Sequence, residues 1–169
     1  MNEDFRGLLN RLEQAGVLRR IKREVDPRHF STLLEQYRGP LLFENVKGYE
    51  CAVVGNVAGN RRCLTEGLRV SDREVGRRFL HAIEHPIPPV MVPTGPCKEV
   101  ILTGDDVDLT MFPIPLISSK DGGAFIGGGI VVIKDPELGR NVGFYRIMYR
   151  TPTETNMGVL THSDLYFYY

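Results

Sequence analysis

Ile130-Val131-Val132-Ile133-Lys134-Asp135-Pro136-Glu137-Leu138-Gly139-Arg140-Asn141-Val142-Gly143-Phe144-Tyr145-Arg146 is the stretch on which the reading of this sequence turns. A β-branched apolar run meets a turn built from Asp135-Pro136 and Gly139, and a second strand-like segment follows. That order predicts an antiparallel hairpin. Its second arm carries an amide at Asn141, a position without a side chain at Gly143 and a guanidinium at Arg146. An amide offers a cation one hard oxygen at no cost in charge. A guanidinium offers a planar fork to carboxylate or phosphate. The hairpin therefore has the chemistry of a place where an anionic ligand and a cation meet. Asn141 and Arg146 are five positions apart, so in a regular strand they face opposite sides. A shared site requires an irregularity, and Gly143 predicts a bulge or bend within 141–145.

Outward from the hairpin, the segment Pro86–Pro96 holds five prolines and reads as an extended connector. It divides the chain into an N-terminal α/β domain over 1–95, ending in the connector 86–96, and a β-rich domain over 96–169. The fold class is α+β. In the first part, Phe5, Leu8, Leu9 and Leu12 predict a helix capped by Asp4 or Asn2 and stopped by Gly16. Leu18–Ile21 reads as a short strand. Phe30, Leu33, Leu34 and Tyr37 predict a second helix ending at Gly39-Pro40. Leu41–Phe43 and Ala52–Val54 predict a strand pair. Ser71-x-x-Glu74 is a capping box for a third helix, with Val75, Phe79 and Ile83 inward. In the second part, Val100–Thr103, Ile130–Ile133 and Val142–Tyr149 read as strands. Four of the last five residues are aromatic, and the segment from His162 reads as a helix or strand just beginning, with Ser163 or Asp164 as its cap. Unburied rings there predict an incomplete chain or a covering partner.

Lys plus Arg and Asp plus Glu both number 21, so nothing in the overall charge argues for nucleic acid or an anionic membrane. The basic run Arg19-Arg20-Ile21-Lys22-Arg23 is offset at once by Glu24 and Asp26 and reads as a solvated face. Cys51, Cys63 and Cys97 lack metal-ligand spacing and read as small buried residues in a reducing cytoplasm. The acidic N-terminus has no apolar core of a leader, and no apolar run reaches the roughly 18–20 residues of a membrane span. Asp105-Asp106-x-Asp108 lacks the Gly and distal Glu of a calcium loop and reads as capping. His29, His81 and His85 have no partners at metal-ligand spacing.

Five motifs occur in order: Phe43-Glu44-Asn45-x-Lys47-Gly48-Tyr49; Gly95-Pro96-Cys97-Lys98-Glu99-Val100; Thr103-Gly104-Asp105-Asp106-Val107-Asp108-Leu109; Ile130-x-x-Ile133-Lys134-Asp135-Pro136; and Asn141-Val142-Gly143-Phe144-Tyr145-Arg146. Together, from about Phe5 to His162, they resemble the N-terminal portion of the UbiD family of reversible decarboxylases. The resemblance implies that 96–169 opens a split β-barrel flavin-binding domain. It implies prenylated FMN, a divalent metal such as Mn2+, and K+ as cofactors. The reaction implied is non-oxidative decarboxylation of a small aromatic or α,β-unsaturated carboxylic acid, with a flavin prenyltransferase supplying the cofactor.

By the same resemblance, Asn141 ligates the metal at the flavin phosphate and His162, preceded by Thr161, completes part of its shell. Arg146 sits over the isoalloxazine and holds the substrate carboxylate. Val142, Gly143, Phe144, Tyr145, Gly127 and Thr161 line the cofactor site. Where many members carry a hydroxyl residue near the flavin phosphate, this chain has Gly127-Gly128-Gly129, which offers only backbone N–H groups. The family's glutamate ligand and its proton-transferring acids are expected further along than Tyr169. The chain alone is then expected to be inactive, completed within a homo-oligomer or by a complementing chain. Two other classes stay open: a non-catalytic truncated or accessory subunit of such an enzyme, and a split-barrel oxidoreductase using ordinary flavin.

Overall fold

Phe5, Leu8, Leu9 and Leu12 recur at helical spacing, and the chain forms α1 over Phe5–Gln14. Asp4 Oδ1 accepts the Gly7 N–H at 2.7 Å, satisfying a donor that the first turn leaves open. Gly16, at φ +67°, carries the chain out through the left-handed region. The structure is a computed structural model describing residues 4–168; Asn2 as a cap and Tyr169 lie outside the described residues. The chain divides into two compact units, Met1–Leu102 and Thr103–Tyr169.

In the first unit, β1 (Arg19–Ile21) runs parallel to β2 (Leu41–Phe43), and β3 (Val53–Gly55) pairs antiparallel with β2. Parallel neighbours need a crossover, and α2 (Phe30–Tyr37) provides it. Arg38, at φ 56°, ends α2 just ahead of the predicted Gly39-Pro40 stop. One core cluster gathers Val25, Phe30, Leu41, Phe43 and Val46, with the Phe30 and Phe43 rings stacked at 4.5 Å. A second gathers Leu12, Val17, Leu18 and Cys63.

Arg20 is taken up by structure. It donates to both Glu13 oxygens at 2.6 and 2.7 Å and to Glu44 Oε1 at 2.7 Å. The Arg20 guanidinium holds the Glu13 carboxyl below the usual carboxylate range. Its side chain thus ties α1 to β1 and to Glu44, the residue after β2, and is half-buried rather than part of a solvated face.

Several expectations for this unit are corrected. An additional helix, α3 (Arg61–Leu68), is capped by Asn60, whose Oδ1 accepts the Cys63 N–H at 3.0 Å. Its apolar face is small, so periodicity did not reveal it. The Ser71/Glu74 capping box is present and leads into α4 (Val75–Glu84), but only Val75 is buried there. Phe79 and Ile83 are exposed rather than inward. Cys97 is exposed and Cys51 half-buried, so of the three cysteines only Cys63 is a core residue. Residues 86–95 hold neither helix nor strand, as four prolines require. Val100–Thr103 is not a strand: Val100, Ile101 and Leu102 are exposed without a pairing partner. β-propensity describes fitness for a half-buried pleated surface, and no such surface forms there.

The second unit opens with single 3-10 turns at Gly104–Asp106 and Leu109–Met111. Asp108 Oδ1 caps the latter, accepting the Thr110 N–H at 2.8 Å, so this aspartate does serve as a cap. A meander follows: β4 (Phe125–Asp135), β5 (Gly139–Thr151) and β6 (Glu154–Met157), then the short helix α5 (Asp164–Tyr168). Asp135 Oδ1 accepts the N–H groups of Glu137 and Leu138 at 2.8 Å, and Gly139 takes φ +82°. These local bonds close the hairpin turn. Helices with two small three-stranded sheets make the fold α+β. Among the described residues no helix is long and apolar enough to cross a membrane.

Candidate functional site

Pairing along β4 and β5 is unbroken from the turn to Gly129↔Tyr145, so Asn141, Val142, Gly143, Phe144 and Tyr145 each face one partner. The bulge predicted within 141–145 is therefore absent. The irregularity lies between Ile126↔Ile147 and Gly129↔Tyr145. There Gly127 and Gly128 together oppose Arg146 alone. Two residues against one is a β-bulge, and it falls on the partner strand, at the arginine itself. Glycine suits it because the extra residue bends the strand where chain must approach chain. Gly143, the site chosen from sequence, stays flat: a Cβ there would meet the Tyr145 ring at 2.6 Å, so its small size serves side-chain packing.

The bulge changes which residues share a face. Counted from the turn without interruption, Phe125 would pair with Tyr149; the extra residue pairs it with Met148 instead. Phe125 thereby joins Phe144, Arg146 and Met148 on one face. Arg146 Cζ lies over the buried Phe125 ring, 4.1 Å from its centroid. Arg146 Nη1 is 4.0 Å from Asp121 Oδ1, whose other oxygen accepts the Ser118 N–H at 3.0 Å. An open cleft of about 800 Å³ runs along this face. Phe125, Arg146 and Met148 line it on the strand side, and Gly158, Leu160 and Ser163 line it on the side leading to α5. Gly143, Phe144 and Tyr145 also border it.

Asn141 is carried on the other face, where strand parity puts it in line with Gly143 and Tyr145. Its Nδ2 donates to Asp164 Oδ2 at 3.3 Å. Leu165 is buried, and the Tyr168 hydroxyl donates to Leu138 O at 3.0 Å, so α5 is fastened at the turn end of the hairpin. Ser163 Oγ is spent on Leu160 O at 2.8 Å, leaving Asp164 at the first position of α5. Thr161 and His162 are exposed in the turn before α5. Two Cα steps separate His162 from Asp164, at most about 7.6 Å. His162 and Asn141 therefore belong to the same end of the unit, while Arg146 belongs to the cleft face.

For a divalent cation the chain offers one amide, one imidazole and the Asp164 carboxylate at that end, all acceptable to a manganese-type ion. Among the described residues no three His, Cys, Asp or Glu side chains group closely enough to hold a metal. This donor set is partial and needs oxygens from elsewhere. For an anion, the bulge places the side-chain-free residues Gly127 and Gly128 opposite Arg146. Sequence reasoning missed Asp121 and Phe125. The signal available was the glycine triplet inside a β-rich run, which marks a bulge and so shifts parity upstream of it.

The three glycines are not equivalent. A Cβ on Gly129 would meet the Tyr145 carbonyl at 3.0 Å and Ile147 Cδ1 at 2.7 Å, whereas at Gly128 it meets open space. Gly129→Ala is expected to destabilise the second unit by about 1–3 kcal/mol. Gly128→Ala should stay within about 0.5 kcal/mol of the parent chain. Urea unfolding followed by the tyrosine signal measures both; equal effects would refute this division.

Comparison with known proteins bears on this geometry. Residues 9–83 match the family model described as the 3-octaprenyl-4-hydroxybenzoate carboxy-lyase N-terminal domain, and residues 90–169 match its Rift-related domain. An uncharacterised protein of Synechocystis sp. is 32% identical over 184 residues, covering 90% of this chain and 36% of that protein. An evolved dimeric form of the UbiD-class enzyme HmfF from Pelotomaculum thermopropionicum, in complex with prFMN, superposes with a TM-score of 0.90 at 33% identity. That match covers 99% of this chain and 40% of the enzyme. The vanillic acid decarboxylase of Sedimentibacter hydroxybenzoicus, in its open form, superposes at 0.85 with 28% identity, over 99% of this chain and 39% of that one. The chain thus spans somewhat over a third of the length of the relatives it matches. With two consecutive family models matched over 9–83 and 90–169 and the chain superposing on UbiD-class enzymes over nearly its whole length, this chain belongs to the UbiD family of carboxy-lyases.

Proposed function

We propose that this chain forms the N-terminal α/β domain and the opening strands of the split-barrel flavin domain of a prenylated-FMN-dependent decarboxylase. The boundary is placed in the proline-rich connector, near residue 95. The reaction is reversible, non-oxidative removal of carbon dioxide from an aromatic or α,β-unsaturated acid in the cytoplasm. The observation that carries this reading is the cleft of about 800 Å³ with the Arg146 guanidinium on one wall and the Gly158–Ser163 segment on the other. That size suits a cofactor and a small acid.

When bound, the prenylated flavin supplies the electron sink that no side chain provides for the carbanion left by loss of carbon dioxide. The chain's own residues bind and orient. Arg146 holds the substrate carboxylate through two parallel N–H donors, which sets the direction of the bond to be broken. Gly127, with Val142, Gly143, Phe144, Tyr145 and Thr161, borders the cofactor. Asn141 and His162 hold part of the shell of a divalent metal at the phosphate end.

Ile130 and Phe144 are paired across the strands, as are Val132 and Val142, and all four are exposed. An apolar sheet face of this kind fits further barrel strands packing against it. The activity accordingly belongs to the completed enzyme, whether the remaining strands come from the same polypeptide or a complementing chain.

Co-expression with a flavin prenyltransferase, followed by the absorption spectrum and mass of the bound cofactor, tests the reading. The completed enzyme should retain a prenylated flavin together with manganese. Retention of ordinary FMN with hydride transfer from a nicotinamide cofactor would favour a flavin oxidoreductase. Absence of flavin in both forms would favour a non-catalytic subunit.

A further inference from the structure

Two groups beside Arg146 hold the guanidinium itself. Phe125 is 7% exposed, so its ring is a fixed surface, whereas the Arg146 side chain is 62% exposed and would otherwise sample many rotamers. The guanidinium carbon sits 4.1 Å from the ring centroid. Stacked in this way, a guanidinium gives one face to the π system and keeps its N–H donors in plane, free for another partner. Asp121 is the nearby charge, its side chain 19% exposed and anchored by the Ser118 N–H. Its separation from Arg146 Nη1, 4.0 Å, is too long for a hydrogen bond. The pair is therefore electrostatic only and consumes no donor.

We propose that Phe125 is a positioning residue that fixes the plane of the Arg146 guanidinium, and that Asp121 is a loosely held counter-charge which the substrate carboxylate displaces. The proposal rests on Arg146 being the carboxylate holder. It explains why the bulge stands where it does. The extra residue at Gly127-Gly128 moves Phe125 from the Tyr149 register to the Met148 register, onto the face of Arg146. Asp121 keeps the guanidinium compensated when no ligand is present, and an incoming carboxylate that bonds in two places outcompetes a charge at 4.0 Å.

The test is a titration of the 169-residue chain, labelled with ¹⁵N in its arginines, using sodium benzoate and neutral benzamide as probes. The Arg146 Nε–Hε signal should lie upfield, under the Phe125 ring current, and respond to benzoate but not to benzamide. Phe125→Leu should lose the upfield shift and weaken benzoate binding about two- to fivefold. Phe125→Tyr should restore both. Asp121→Asn should tighten benzoate about threefold by removing the competing charge. Should Phe125→Leu fail to fold, Phe125→Met serves the same purpose. A folded ring-less variant with parental benzoate affinity overturns the role of Phe125. Unchanged or weaker binding in Asp121→Asn overturns the role of Asp121. Arg146→Gln that still binds benzoate, or a parent chain indifferent between the two probes, refutes instead the assignment of Arg146, and this proposal with it.

Discussion

Arg146→Gln is expected to lower kcat/KM for decarboxylation in the completed holoenzyme by roughly 10²- to 10⁴-fold, with cofactor content unchanged. The size follows from the bonds removed. A carboxylate held in two places by a guanidinium makes two charge-assisted hydrogen bonds, each contributing about 1.5–3 kcal/mol. Glutamine retains one short donor group and no charge, and cannot reproduce the fork. Arg146→Lys should fall between the two, keeping the charge but losing the plane. The loss should not spread to the fold, because the Arg146 side chain is largely exposed and its ion pair with Asp121 is loose. Release of carbon dioxide from a panel of aromatic and unsaturated acids measures the effect. Bound flavin counted by absorbance separates a lost clamp from a lost cofactor. Turnover retained within a factor of a few would remove Arg146 from this role.

Phe43→Ala is expected to cost the first unit about 3–5 kcal/mol, a large share of the stability of a unit this size. Phe43 is fully buried, stacks on Phe30 at 4.5 Å and sits among Val25, Leu41 and Val46. Truncation there removes the transfer energy of the ring and leaves a cavity that the three short strands cannot close. Phe79→Ala provides the contrast: the ring is half exposed on α4, and the change should stay within about 1 kcal/mol. Urea denaturation of the two variants measures the difference. Similar values for both would mean that α4 is buried in solution and that this core is not the centre of the unit.

The parts of the molecule legible in advance were those governed by neighbours in sequence. α1 follows from Phe5, Leu8, Leu9 and Leu12 with Asp4 as its cap, and the hairpin turn follows from Asp135-Pro136 and Gly139. The capping box at Ser71 and Glu74 formed as read, because it spans one turn. Inward faces were less legible. Phe79 and Ile83 have the right spacing on α4, yet burial depends on whether another element arrives, which periodicity does not encode. Val100–Thr103 failed for the same reason: a strand exists only with a partner.

At the candidate site the division is sharper. Residue chemistry alone pointed to Asn141 and Arg146, since an amide and a fork have few substitutes, and the family resemblance added His162. Their arrangement was a matter of pairing. Strand parity predicted an irregularity at Gly143 in β5, but the pairing there is regular and Asn141 and Arg146 stay on opposite faces, because register is set jointly by two strands. Tertiary structure put the irregularity at Gly127-Gly128, opposite Arg146. That choice brings Phe125 under the guanidinium and Asp121 beside it, 21 and 25 positions earlier in the sequence. Local sequence determined which groups this protein offers; long-range register decided which of them meet, because one extra residue in one strand reverses the facing of every residue beyond it.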